Sequence, residues 1–268
     1  MKSNEKINAL LQKEQYSFDD LCVIMQILRG EGGCPWDREQ THTSIRNNFI
    51  EETYEVIEAI DTADPKLLRE ELGDVLLQVV FHACMEEEAG VFTIHDVAND
   101  ICKKLIHRHP HIFADVQADD AEQVLANWEA IKSDEKSRIT VSDKLQAIPA
   151  VLPALMRAEK VGKKSALDEA DYAANAEEAM ATVMMLTTQL AEVPAEQQRQ
   201  LYGELLFAAV TLGRKLGFEA ETELTAEINR RIADYAQLEA DLGGKDPSQI
   251  PADEISLRWQ RLRQIDKM

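Results

Sequence analysis

Apolar residues recur every three or four positions along most of this chain. Ile50, Tyr54, Ile57 and Ile60 form one stripe, Leu72, Leu76, Val79 and Val80 a second, and Val97, Ile101 and Leu105 a third. That spacing follows the turn of an α-helix and not the alternation of a strand. Ala, Leu, Glu, Lys and Gln, all good helix formers, fill the stretches between. The best strand candidate is the short run Val91–Ile94. The pattern predicts an all-α protein.

Breaks in the pattern set the element boundaries. Gly30–Asp37 (GEGGCPWD) is predicted to be irregular because glycines and a proline crowd it. Asp61–Pro65 (DTADP) separates two helices, with Asp64 as N-cap and Pro65 at the first helical position. Gly90 closes the next helix, and His109–Pro110 ends the one after. The polar run Ser133–Ser142, followed by Pro149 and Pro153, reads as a linker. The expected organisation is a tail over 1–17, a helical domain over 18–132, a linker over 133–146 and a second domain over 147–268. The second half echoes the first: Leu21–Gly30 by Leu152–Gly162, Glu51-Glu52 by Glu177-Glu178, and Leu72–Val80 by Tyr202–Val210, with Gly203 over Gly73. The order of these anchors predicts a duplicated domain.

Charge narrows the function classes. The 268 residues carry 29 Lys+Arg against 49 Asp+Glu, a formal charge of −20, and 45% are hydrophobic. The composition is that of a folded protein, and its charge repels a phosphate polymer, so no nucleic-acid polymer is expected as partner. A nucleotide bridged to carboxylates by a divalent cation stays compatible with it. No membrane is expected either. The first twenty residues lack a continuous apolar stretch, and Val75–Met85 is short and interrupted by Gln78 and His82. Cys22, Cys34, Cys84 and Cys102 form no CxxC pair and read as buried or free thiols. A soluble cytoplasmic protein is the expectation.

Candidate chemistry lies in two consecutive helices. Glu52 and Glu55 share a face of the first, and Glu71 and Asp74 a face of the second. The short connection makes the helices antiparallel neighbours, so four carboxylates can converge. Alone they would repel one another, whereas a hard divalent cation would turn them into oxygen ligands. The competing reading is a solvated acidic face, which Glu58, Glu70 and Glu86–Glu88 are expected to form. Lys104 and Arg108, four apart on a later helix, suit a polyphosphate, or else complement the end of a helix dipole. His107, His109 and His111 share no helical face across Pro110, which favours a loop or phosphate-neighbour role over zinc. Trp128 could stack on a nucleobase, although an anchor for the domain's last helix is the reading its sequence favours. Trp36 is expected to pack down the glycine loop. A di-iron carboxylate bundle needs two Glu-x-x-His motifs, and only Glu39–His42 is present.

The order GCPWDREQTHTSI, EETYE, ELGD, KLIHRHPHIFAD and VLANWEAIK resembles the MazG family of nucleoside triphosphate pyrophosphohydrolases, from about Phe18 to the C-terminus. The resemblance implies two tandem all-α NTP pyrophosphatase domains of four-helix-bundle type, completed by homodimerisation. It implies magnesium-dependent cleavage of NTPs or dNTPs to monophosphate and pyrophosphate in nucleotide-pool housecleaning, with manganese as a possible substitute. Carried over by position, the magnesium ligands would be Glu52, Glu55, Glu71 and Asp74, with Glu51 as an accessory carboxylate orienting water. Lys104 and Arg108 would grip the triphosphate, and Trp128 would lie on the base side. Narrower dUTP-type or phosphoribosyl-ATP-type hydrolysis and a non-catalytic nucleotide-binding regulator are the alternatives. The second half departs from the pattern: Ala181 and Leu201 replace two carboxylates, Glu178 and Glu204 are the expected survivors, Arg231 matches Lys104, and Tyr235 stands at the place of Arg108. That half is expected to be weakly active or inactive.

Overall fold

The computed structural model describes residues 3–114, 120–135, 140–165, 173–243 and 250–265, and every regular element among them is an α-helix. The chain divides into two units, Met1–Lys132 and Ser133–Met268. The first carries α1 (Ser3–Leu11), α2 (Phe18–Arg29), α3 (Pro35–Glu39), α4 (Arg46–Asp61), α5 (Pro65–Glu88), α6 (Ile94–Arg108), α7 (Pro110–Phe113) and all but the last three residues of α8 (Ala121–Glu135). The second carries α9 (Val141–Gln146), α10 (Ala154–Lys164), α11 (Ala176–Glu192), α12 (Ala195–Lys215), α13 (Ala220–Asp241) and α14 (Ala252–Ile265).

Local chemistry explains where the helices start and stop. Asp64 accepts hydrogen bonds from the backbone N–H groups of Lys66 (2.8 Å) and Leu67 (3.2 Å), and Pro65 supplies a preset φ at the first position of α5. Before it, Ala63 takes a left-handed φ of 52°, reversing the chain so that α4 and α5 pack as an antiparallel hairpin. Gly90, at φ 72°, ends α5, and Thr93 with Asp96 forms a capping box that starts α6. Thus the run Val91–Ile94 is not a strand: Val91–Thr93 connects two helices, Thr93 spends its hydroxyl on the cap, and Ile94 opens α6.

The core of the first unit gathers Met25 of α2, Ile45, and Val80, Phe81, Cys84 and Met85 of α5. It therefore sits against the second half of α5 and leaves the first half, with Glu71 and Asp74, facing α4. Arg29 fastens this end. Its guanidinium donates to both carboxylate oxygens of Glu88 (2.8 Å each), to the carbonyls of Asp37 (2.6 Å) and Gln40 (3.3 Å), and lies over the Phe81 ring. Glu87 accepts from Gln26, and Glu86 contacts His42 Nε2 at 2.8 Å. His42 in turn meets His82 edge to edge, Nδ1 to Nδ1, at 2.7 Å. Glu87 and Glu88 are exposed, as expected of a solvated face, and Glu86 is half-buried; the three acids also tie α2 and the α3–α4 connector to α5.

Other expectations also change. Pro35–Asp37 belongs to the short helix α3, which Pro35 starts, and Trp36 is 56% exposed instead of packing the loop down; Gln40 bonds its carbonyl, not its ring. The segment read as a tail carries α1, and Lys13 beyond it pairs with Asp20 at 2.6 Å. The segment read as a linker is partly helical, at the end of α8 and in α9, where Thr140 caps; residues 136–139 lie outside the described residues. Ile50, Tyr54, Ile57, Ile60, Leu72, Leu76, Val97, Ile101 and Leu105 are all exposed on this chain, so much of each apolar stripe lies outside its core.

The second unit repeats the hairpin with α11 and α12. Ala208, Val210 and Thr211 are buried where Gln78, Val80 and Phe81 are buried in α5, in the register that places Gly203 over Gly73. In α11 the buried pair Ala179 and Leu186 has the spacing of Glu52 and the buried Ala59 in α4. The inward position of Glu52 thus falls on Ala179, and Glu178, expected as a surviving ligand, lies one residue outward. It is exposed and accepts the Ala174 N–H at 2.9 Å in the cap of α11.

Asp20 tests this account of the first unit. It accepts from Lys13 (2.6 Å) and from the Ser17 N–H and hydroxyl (2.8 Å each), and these bonds, that of Lys13 foremost, hold its carboxyl down to about 2. Removing the Ser17 side of the box, Ser17→Ala, is expected to cost about 1 kcal/mol. In urea titrations, Asp20→Ala is destabilised above the ordinary carboxylate range. The difference from wild type shrinks as pH falls toward 2, because the native carboxyl keeps its charge after the unfolded one has lost it.

Candidate active site

Three carboxylates meet between α4 and α5. Glu52, Glu55 and Glu71 each place an oxygen so that all three lie within 4.8 Å of one another. Glu52 and Glu55 stand one turn apart on α4, and the antiparallel packing brings Glu71, near the start of α5, opposite them. Glu71 is buried, Glu52 and Asp74 are half-buried. Glu52 has its carboxyl pushed up by desolvation, then by the charge of Asp74 and by Glu55 and Glu71. Glu71 is pushed up likewise by desolvation, then by Glu55, Asp74 and Glu70. Asp74 is therefore within electrostatic reach of both, although the closest group is the three glutamates.

Acids that raise one another's proton affinity are short of positive charge. Exposed acidic clusters can exist without an ion, but a buried member makes crowding costly, and a proton or a cation must relieve it. The donor set is all carboxylate oxygen, which suits a hard divalent cation. The cluster can bind a metal. Among the described residues it is the one group of His, Cys, Asp or Glu gathered in this way, so His107, His109 and His111 form no such set.

The other sequence-derived residues are placed as follows. Glu51 is exposed, one residue before Glu52 and outside the cluster of three. Lys104 is exposed on α6, and Arg108 is half-buried one turn further, its guanidinium carbon 5.1 Å from the centre of the Trp128 ring. Gly73 is exposed, and a Cβ added there would meet nothing within 4 Å among the described residues. Sequence reasoning missed Gln78. It is buried one turn beyond Asp74 on the same face, and its Oε1 has no hydrogen-bond partner. A polar residue at i+4 from a candidate ligand, inside an apolar run, was the available signal. In the second unit the corresponding positions are Ala179, Thr182, Leu201, Glu204 and Ala208, and Glu204 accepts from Gln200 at 2.9 Å.

A helical hairpin with inward carboxylates defines an all-α protein with a candidate metal centre. A family profile described as the MazG nucleotide pyrophosphohydrolase domain matches residues 40–113, which span α4, α5 and α6. The chain is 39% identical over 255 residues to a nucleoside triphosphate pyrophosphohydrolase of Escherichia coli (strain K12), covering 91% of this chain and 96% of that one. It is 35% identical over 257 residues to the nucleoside triphosphate pyrophosphohydrolase/pyrophosphatase MazG of Thermotoga maritima, covering 93% and 97%. A nucleoside triphosphate pyrophosphohydrolase of Mycobacterium tuberculosis is 42% identical over 149 residues, 53% of this chain and 45% of that one. The chain belongs to the MazG family. No helix among the described residues is long and apolar enough to cross a membrane.

The raised carboxyls give a signed test. Without metal, the native state binds protons to Glu52 and Glu71 more tightly than the unfolded chain does. The metal-free protein should therefore gain stability from these groups as pH falls through their raised range toward the ordinary glutamate value. Magnesium or manganese should raise Tm at neutral pH, and this rise should vanish over the same window as protons displace the cation. Scanning calorimetry with and without metal, between about pH 4.5 and 8, reads both effects.

Proposed function

We propose that the protein is a magnesium-dependent nucleoside triphosphate pyrophosphohydrolase that converts NTPs or dNTPs to monophosphate and pyrophosphate, in nucleotide-pool housecleaning. The observation that carries this reading is the convergence of Glu52, Glu55 and Glu71 in a member of a family whose relatives bear that activity in their names. Glu52, Glu55, Glu71 and Asp74 would hold the cation. When bound, magnesium, or manganese in its place, neutralises charge on phosphate oxygens and on the transition state.

The remaining steps belong to the chain's own side chains. Glu51, beside the cluster but outside it, orients the attacking water and takes its proton. Lys104 and Arg108, four residues apart on α6, hold the β- and γ-phosphates: the ammonium as a point charge, the guanidinium as a planar fork. Hydrolysis breaks the link between the α- and β-phosphorus atoms and releases pyrophosphate. The second unit keeps one of the four inward carboxylates, Glu204, and its contribution is structural. The net charge of −20 suits a small magnesium-bound nucleotide and disfavours a nucleic-acid polymer.

Pyrophosphate release tests the site. Glu52→Gln and Glu71→Gln should each lower kcat/KM at least about a hundredfold. Both should leave the metal-free protein as stable as before or more so, since each removes a like charge from a crowded site. Glu204→Gln should leave turnover unchanged. Full activity in Glu52→Gln would refute the site.

The exposed apolar stripes of α4, α5 and α6 suit a homodimer in which a second copy completes a four-helix bundle. Sedimentation equilibrium should give twice the 30.2 kDa chain mass. Lys in place of Ile57 and Leu72 should return the monomer.

A further inference from the structure

Each unit ends on a tryptophan docked against the preceding long helix, and the two docks differ in what the ring touches. In the first unit, Trp128 of α8 lies under the guanidinium of Arg108, 5.1 Å from ring centre to guanidinium carbon. In the second, Trp259 of α14 meets Tyr235 of α13, ring centroids 4.6 Å apart and tilted by 49°. Tyr235 stands at the position that matches Arg108. The same contact is therefore made twice: to a cation in the unit where three carboxylates converge, and to a neutral ring in the unit where Ala179 and Leu201 have displaced them. The dock itself belongs to the fold. The charge on the docked group goes with the intact carboxylate cluster.

We propose that Trp128 is a positioning residue that holds Arg108 in place for the triphosphate, and that it is not a platform for the nucleobase. This rests on the reading of Arg108 as a phosphate ligand. A guanidinium stacks through its flat face and donates hydrogen bonds in its plane, so resting on an indole does not compete with binding phosphate oxygens. Arginine otherwise loses much side-chain freedom at each binding event, and a guanidinium already held on a half-buried ring has lost that freedom beforehand. A base stacking on Trp128 would need a ring face, and Arg108 covers one of them.

The test uses the full chain with magnesium and compares purine and pyrimidine triphosphates, both as substrates and as non-hydrolysable analogues in a calorimeter. Trp128→Leu is expected to raise KM and the analogue Kd about two- to thirtyfold, by the same factor for every base. kcat should stay within about twofold, because ground state and transition state lose the grip alike. Trp128→Phe should restore part of the affinity with the same indifference to the base, and serves alone if the leucine variant does not fold. In an Arg108→Leu background, Trp128→Leu should add nothing. A penalty that depends on the base, or one that persists in full without Arg108, overturns the proposal, as does unchanged affinity in a folded Trp128→Leu protein. If Arg108→Leu itself leaves KM and Kd unchanged, the phosphate reading of Arg108 falls and the proposal with it. That result is distinct from a failure at Trp128 alone.

Discussion

The arrangement depends on holding like charges together. Glu52, Glu55 and Glu71 would spread apart if their backbones were free, and burial of Glu71 makes the repulsion stronger. The hairpin does not let them. Asp64, Pro65 and the left-handed Ala63 fix how α5 leaves α4, and the apolar contacts of Met25, Ile45, Val80, Phe81, Cys84 and Met85 hold the far half of α5. Hydrophobic burial at one end of the helix thereby maintains an unfavourable electrostatic arrangement at the other. An arrangement of this kind is of use to a protein that supplies a cation from outside.

Much of this was legible in the residues. Caps, glycine stops and helical stripes gave the elements, because each rests on chemistry within four or five residues of itself. The spacing of Glu52 with Glu55 and of Glu71 with Asp74 gave the cluster, because the connection between their helices is too short to allow anything but a hairpin. Long-range partners were not legible. Glu87 and Glu88 keep the exposure of a solvated face, but the partners of Glu86, Glu87 and Glu88 are His42, Gln26 and Arg29, each some forty to sixty residues away in sequence. Trp36 reads as packed because its neighbours are Cys and Pro, yet the residue is 56% exposed and Gln40 bonds its carbonyl. Two adjacent glutamates, Glu177 and Glu178, leave the alignment of α11 with α4 open in the sequence, and the buried pair Ala179 and Leu186 favours a register one residue further on.

The two units show what the charged site requires and what it does not. Hairpin, buried positions along the second helix and terminal tryptophan persist in both. Three of the four inward carboxylates, the inward glutamine and the docked cation do not. Replacing Gln78 by Ala208 at the same buried position removes an oxygen that otherwise has no partner, so the second unit avoids a cost that the first retains.

Arg29 has a consequence of a different kind. One planar group reaches the end of α5 through Glu88 and two backbone carbonyls of the segment that leads into α4. A lysine there would bring the same charge on a single point and, from a side-chain position only 8% open to water, could not present the planar set of donors that meets the Glu88 carboxylate and the two carbonyls together. The entry to the carboxylate-bearing helix is thus secured by the shape of a donor, and charge-conserving exchange at this position would not be conservative.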